Sequence, residues 1–223
     1  MEHIMTTIIP YIPLILQGVA ITITSWLIAG TISLCIGIII GAASCRYLTT
    51  PWMTRITTLY TFIAKGIPLY VQILIAYFVL PAFLGINLSG FVAGLCALTF
   101  CSSGYVTEII RSGINTIPQG QWDACTVLGY PLQSTLTRII FPQTFANILP
   151  TLLGEFEQLL KSTSLLATIG VLDLTRAGMN IISRELNPTP VYLIIACLYL
   201  VFSFAAHCMS SALEKRIGYD YRQ

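Results

Sequence analysis

The chain alternates long apolar runs with short polar punctuation. From His3 to Cys45 there is no Asp, Glu, Lys or Arg, and about residues 14–43 suffice for one tilted helix across some 30 Å of hydrocarbon. Arg46, Pro51 and Arg55 form a short basic loop, after which residues 56–80 are apolar apart from Lys65. Pro81, Gly85, Asn87, Ser89 and Gly90 mark a turn, and a third run, about residues 91–110, ends at Glu108 and Arg111. A fourth, about residues 132–162, is interrupted by Pro142 and Pro150 and charged at its far end by Glu155, Glu157 and Lys161. Residues 164–187 mix polar and apolar positions, and a last run, about residues 190–213, closes at Glu214, Lys215 and Arg216. The pattern predicts an all-α polytopic membrane protein with five transmembrane helices, in a single domain covering residues 1–223.

One segment breaks the pattern. Residues 118–129 open with a proline suited to a first helical turn and close with a glycine suited to a helix C-cap. This predicts a short helix lying outside the bilayer. Asp123 within it reads, at its simplest, as a first-turn carboxylate favoured by the helix dipole. Gly37 with Gly41, and Gly90 with Gly94, have the small-xxx-small spacing that lets helices approach closely in lipid, though two such matches also arise by chance.

Composition supports membrane insertion: 56% of the residues are hydrophobic and 9% charged, against about 25% charged in soluble domains. A net charge of +2 without any basic run excludes a nucleic-acid surface. The seven cysteines are odd in number and show no C-x-x-C pair, which favours small buried hydrophobes over disulfides or metal ligands. Met1 to Met5 lack a basic leader, so the first span is expected to remain in the mature protein. Arg46, Arg55, Arg111, Arg138, Lys215, Arg216 and Arg222 fall on one side of five spans, against Lys161, Arg176 and Arg184 on the other. The richer side should be cytoplasmic, with the N-terminus outside and the C-terminus in the cytoplasm.

The most specific text is Trp122 to Gln143, WDACTVLGYPLQSTLTRIIFPQ. Asp123, Ala124 and Cys125, then Gly129, then Ile139 and Pro142, resemble the "EAA" signature of ABC importer permeases: E-A-A, three residues, G, nine residues, I-x-L-P. Asp123 replaces Glu, Cys125 the second Ala, and Phe141 the Leu. The segments around Lys65 to Gln72, Glu108 to Arg111, Ile117 to Trp122 and Lys161 to Val171 look like the polar-amino-acid branch, and the likeness runs from about residue 14 to 213. The resemblance implies a type I importer permease fold (MetI-like) in a bacterial cytoplasmic (inner) membrane. Residues 118–129 would be the coupling helix that seats on an ABC ATPase subunit. Trp122, Asp123, Ala124, Cys125, Gly129 and Pro142 would then be the coupling residues. It also implies an extracytoplasmic amino-acid-binding protein and a small amino-acid substrate of the arginine, glutamine or histidine type.

No G-x-x-x-x-G-K-[ST] occurs, so energy must come from a separate subunit, and no cofactor or catalytic residue is expected. Five helices rarely enclose a path alone, which implies a second permease, either an identical copy or a paralogue. Ionisable residues in spans suggest a pathway or site. Glu155 and Asp173 are the candidates to receive the cationic end of an amino acid, with Ser162 on the Glu155 face and Gln72 in the second span. The alternative is that both acids pair with basic neighbours such as Arg176. Glu157 and Lys161, at i, i+4, are positioned to neutralise each other. Lys65 is expected to snorkel to the interface, the alternative being that it lines the path near Pro68 and Gln72, and His207 is given no role. A methionine or other small-solute ABC importer permease shares the signature. A secondary transporter would show internal repeats and its own coupling-ion site, and a membrane enzyme would need clustered nucleophiles or a metal set, which the sequence lacks.

Overall fold

The computed structural model describes residues 9–220, with side chains described to Lys215. Met1 to Met5 and the basic Arg222 lie outside the described residues, as does the Arg216 side chain. Among the described residues there are helices and connecting turns, and no strand.

Helix α1 (Ile12–Ala43) is entered through a 3-10 turn, Ile9–Tyr11. It is apolar all round, and only 28% of its most apolar window is buried, as expected of a helix facing lipid rather than a core. Helices α2 (Pro51–Gly66) and α3 (Leu69–Leu84) form a broken pair. Pro68 supplies no N–H and drives Ile67 out of the helical region, which ends α2 at Gly66. Helix α4 (Gly90–Asn115) is the most enclosed of the three unbroken spans, with 56% of its apolar window buried. A short helix α5 (Gln119–Val127) leads to α6 (Leu132–Ile169), which pairs across a 45° bend with α7 (Leu174–Glu185). The last helix, α8 (Pro188–Asp220), is 11% buried in its apolar window. Among the described residues, three unbroken helices and two bent pairs make up to five spans by length and composition.

Several boundaries differ from the sequence pattern for identifiable reasons. Pro142 does not interrupt α6. A π-helical turn, Leu136–Ile140, precedes it, and the wider turn relieves the clash between a proline ring and the carbonyl four residues back. The Gln143 side-chain Nε2 donates to the Ile139 carbonyl at 2.9 Å. In α3 the same device, Ile75–Val79, precedes Pro81. Pro118 and Pro131 stand at N-cap positions, one residue before the helices they introduce. The mixed stretch after Ser164 folds as a 3-10 continuation of α6, Thr163–Ile169, followed by α7.

Contacts divide the chain into two compact units, each drawn from separated stretches. One comprises Ile32–Gly66, Ser102–Phe156 and the chain from Cys208. Its core gathers Cys45, Val106, Ile110, Ile114, Ile117, Trp122, Ile140, Ile148 and Leu152. Here the Gly37 and Gly41 spacing has a physical use. A Cβ on Gly41 would stand 2.7 Å from the Thr107 carbonyl oxygen and 2.8 Å from Ile110 Cβ, and one on Gly37 would stand 3.0 Å from the Thr107 nitrogen. The end of α1 therefore lies directly against the α4 backbone, as small residues permit.

The other unit comprises the chain to Thr31, Ile67–Cys101 and Glu157–His207. Leu174, Ile181, Val191 and Ile195 form a buried cluster between α7 and α8. Gly94 faces the Leu166 side chain. Thr22 of α1 accepts a hydrogen bond from the Leu174 backbone N–H at 3.1 Å.

Candidate functional site

Helix α5 begins where Pro118 (φ −58°, ψ 142°) turns the chain after α4. Trp122 and Cys125, three residues apart, are both buried, Trp122 within the unit's core. The Trp122 ring stacks on Tyr47 with centroids 4.4 Å apart and planes at 22°. Asp123 and Ala124 face outward, so the coupling set inferred from the signature divides. Trp122 and Cys125 anchor the helix, whereas Asp123 and Ala124 are available to a partner. Asp123 falls in the second turn of a helix that starts at Gln119, and the first-turn dipole account therefore does not apply to it.

The C-terminus of α5 is closed by a Schellman motif. Gly129 N–H donates to the Thr126 carbonyl at 3.1 Å and Tyr130 N–H to the Cys125 carbonyl at 2.9 Å, with Gly129 at φ +72°. That conformation is open to glycine at little cost and is the reason the position needs it. Beside the cap stand two residues not singled out from the sequence, Val127 and Leu128, 86% and 72% exposed. Their signal was available: Ala124, Val127 and Leu128 share a helix face by i, i+3, i+4 spacing, away from the buried Trp122 and Cys125. Pro142 lies in α6 beyond its π turn and is half-buried, shaping that helix rather than the face of α5.

Cys45, between α1 and α2, is fully buried, and burial pushes its thiol up from its ordinary value. A thiolate is the reactive form. In chains retaining only Cys45 or only Cys125, a water-soluble maleimide is expected to label neither native protein and to label both after denaturation in dodecyl sulfate. An Ala124→Cys chain with no other cysteine should label at once. Fast labelling of native Cys125 would mean that α5 is rotated.

The intramembrane acids have separate environments. Glu155, half-buried on α6, accepts a hydrogen bond from the buried Ser102 Oγ of α4 at 2.9 Å, and a Cβ on the adjacent Gly154 would meet nothing within 4 Å. Glu157 stands with His207 Nδ1 3.6 Å from its Oε1. Among the described residues Glu157 is therefore paired with this histidine of α8 and not with the expected Lys161. Asp173 is fully buried and caps α7, accepting from the backbone N–H groups of Thr175 at 3.2 Å and Arg176 at 2.9 Å and from the Tyr199 hydroxyl at 3.4 Å. It thus meets Arg176 through the backbone rather than the guanidinium. The signal missed in the sequence was an Asp just ahead of a helical run. Gln72 is buried and donates to the Ile67 carbonyl at 2.8 Å. Ser162 bonds back to the Gln158 carbonyl at 2.9 Å. The Leu69–Leu74 segment, which carries Gln72, packs on Thr163–Ile169, the 3-10 turn that follows Ser162.

Lys65 is ion-paired. Its Nζ donates to Glu108 Oε2, and Arg111 Nη2 donates to Glu108 Oε1 at 2.9 Å, leaving one carboxylate between two cations. A cleft of about 610 Å³ lies in the unit that contains Gln72, with Gln17, Tyr77, Phe91 and Gly170 among its lining residues.

The pattern of a family described as "binding-protein-dependent transport system inner membrane component" matches residues 33–219. The arginine transport system permease protein ArtQ of Bacillus subtilis (strain 168) is 34% identical over 209 residues, covering 94% of each chain. The putative glutamine transport system permease protein GlnP of Rickettsia typhi (strain ATCC VR-144 / Wilmington) is 33% identical, covering 93% of this chain and 94% of its own. A chain in the crystal structure of an amino acid ABC transporter with histidines superposes with a TM-score of 0.85 at 33% identity, over 95% of this chain and 97% of that one. A chain of the MetNI methionine ABC transporter in an inward-facing conformation gives 0.80 at 16% identity, over 94% and 98%, a likeness of fold alone.

Proposed function

The chain belongs to the family of binding-protein-dependent transport system inner membrane components, and from that premise we propose that it is the membrane-spanning permease subunit of an ATP-driven importer for polar amino acids. The chain acts as one permease domain with its N-terminus outside and its C-terminus in the cytoplasm. It works with a second permease, with ATPase subunits that carry out the hydrolysis, and with an extracytoplasmic amino-acid-binding protein. Helix α5 is the coupling helix. The observation that carries this role is its division into a buried side, Trp122 and Cys125, and an exposed side, Asp123, Ala124 and Val127, since a helix anchored on one face and bare on the other is fitted to receive a partner. The test is purification of the tagged chain from its own membranes in mild detergent. An ATPase and a second permease should come with it, and a chain recovered alone would overturn the reading.

The substrate belongs to the arginine, glutamine or histidine class, supported by relatives named for arginine and glutamine transport. Glu155 receives the cationic end: it is a half-buried carboxylate in a membrane helix, held toward the buried Ser102 hydroxyl. Gln72 and Ser162 are secondary candidates for polar contacts. Asp173 is weakly placed as a substrate ligand, because its oxygens serve as the N-cap of α7. In reconstituted vesicles, Glu155→Gln should keep the ATPase and its unstimulated hydrolysis while losing stimulation by substrate-loaded binding protein. Losing a charge-assisted contact corresponds to about tenfold or more in apparent affinity. A variant indistinguishable from the parent removes Glu155 from the site.

A further inference from the structure

In sequence, α5 is joined only to α4 and α6, through residues 116–118 and 128–131. Its structural reach is wider. Trp122 stacks on Tyr47, which belongs to the loop between α1 and α2. Among the described residues the buried indole N–H has no acceptor, although buried tryptophans usually find one. Stacking and apolar packing therefore hold this ring.

The loop that carries Tyr47 is tied down throughout. Cys45 before it is fully buried in the same core. The Arg46 backbone N–H donates to Asn115 Oδ1 at the end of α4 at 3.0 Å. Leu48 and Thr49 N–H groups both donate to the Cys45 carbonyl, at 3.1 and 3.0 Å. From its exposed side, the Arg46 guanidinium lies 4.7 Å from the Tyr47 ring centroid and donates to the Tyr47 hydroxyl at 2.5 Å. Just upstream, Gly37 and Gly41 bring α1 against the backbone of α4. A displacement of Trp122 thus meets a stiff loop continuous with the end of α1.

We propose that Tyr47, stacked on Trp122 and backed by Arg46, is a positioning residue that transmits the movement of α5 to the end of α1. This rests on the coupling role given to α5 above. Without the stack, α5 could still seat on an ATPase, but part of its displacement would be lost at the loop.

The experiment compares the parent, Tyr47→Phe, Tyr47→Leu and Leu48→Ala chains in complete reconstituted complexes. It measures ATPase recovered, ATP hydrolysed, and amino acid taken up per ATP. Tyr47→Phe keeps the ring and should stay near the parent. Tyr47→Leu should retain its ATPase and hydrolysis while uptake per ATP falls about fivefold, the size expected for losing an aromatic pair. Leu48→Ala, in the same loop but outside the stack, should keep the parent ratio. A parent ratio in Tyr47→Leu, or an equal fall in Leu48→Ala, overturns the proposal. Should Tyr47→Leu fail to accumulate, the exposed Arg46→Ala is read in the same way, with a fall of about twofold expected and an unchanged ratio overturning the proposal. Recovery of the parent without any ATPase would instead defeat the coupling role itself, before the Tyr47 variants are compared.

Discussion

A Gly41→Leu chain should fail to accumulate as folded protein, whereas Gly66→Ala should accumulate like the parent. At position 41 the obstacle is backbone: an added Cβ alone would lie 2.7 Å from the Thr107 carbonyl oxygen, and Ile110 Cβ is 2.8 Å away on the same side. Side chains can change rotamer to admit a methyl group, but a carbonyl inside α4 cannot move without straining its helix. Overpacking a core by extra methylenes costs about 1–3 kcal/mol even where neighbours yield. A leucine here should exceed that range and remove much of a stability that for most proteins is only about 5–15 kcal/mol. Nothing lies within 4 Å of a Cβ at Gly66, so that exchange controls for loss of glycine as such. Recovery of a monodisperse peak on size-exclusion chromatography in detergent reads the outcome. A Gly41→Leu chain that elutes and melts like the parent would show that α1 and α4 are not packed backbone to backbone.

The same pair of glycines shows what a sequence can and cannot disclose. Their spacing was visible, but Val106, Thr107 and Ile110, which give the spacing its purpose, lie some sixty to seventy residues away. Lys65 is the clearer case. As an isolated cation in an apolar run, it invited a snorkelling account. Its partner Glu108 is 43 residues distant, and no local rule connects them. Features governed by short-range chemistry were readable. Apolar runs long enough to cross a bilayer became helices because unsatisfied backbone groups are too costly in lipid, and Gly129 became a helix stop because the cap requires φ > 0. Local rules also misled where two of them competed. Pro142 looked like an interruption, yet one π turn absorbed it. Asp173 looked like an acid awaiting a substrate cation or a basic neighbour, yet a carboxylate ahead of a helix is first of all a cap for its N–H groups.

Replacing Val127 and Leu128 together by aspartate should cost the chain its ATPase while leaving its own fold intact. Both side chains are largely bare, at 86% and 72% exposure, and they share the outward face of α5 with Ala124. Surface substitutions away from special features usually change stability by less than about 0.5 kcal/mol, so the melting temperature should hold. In the assembled transporter the balance is different. Burying each aliphatic side chain contributes about 1.5–3 kcal/mol, and the replacement places carboxylates where a partner would have to desolvate them. A combined loss of about 3 kcal/mol or more corresponds to over a hundredfold in affinity, enough to empty a complex at ordinary purification concentrations. Cys125→Asp supplies the contrast, because it puts the same charge on the buried side of the same helix and should lower the melting temperature. If the Val127→Asp, Leu128→Asp chain brought down as much ATPase as the parent, the exposed face of α5 would not be the docking surface, and the partner would have to be sought elsewhere on the molecule.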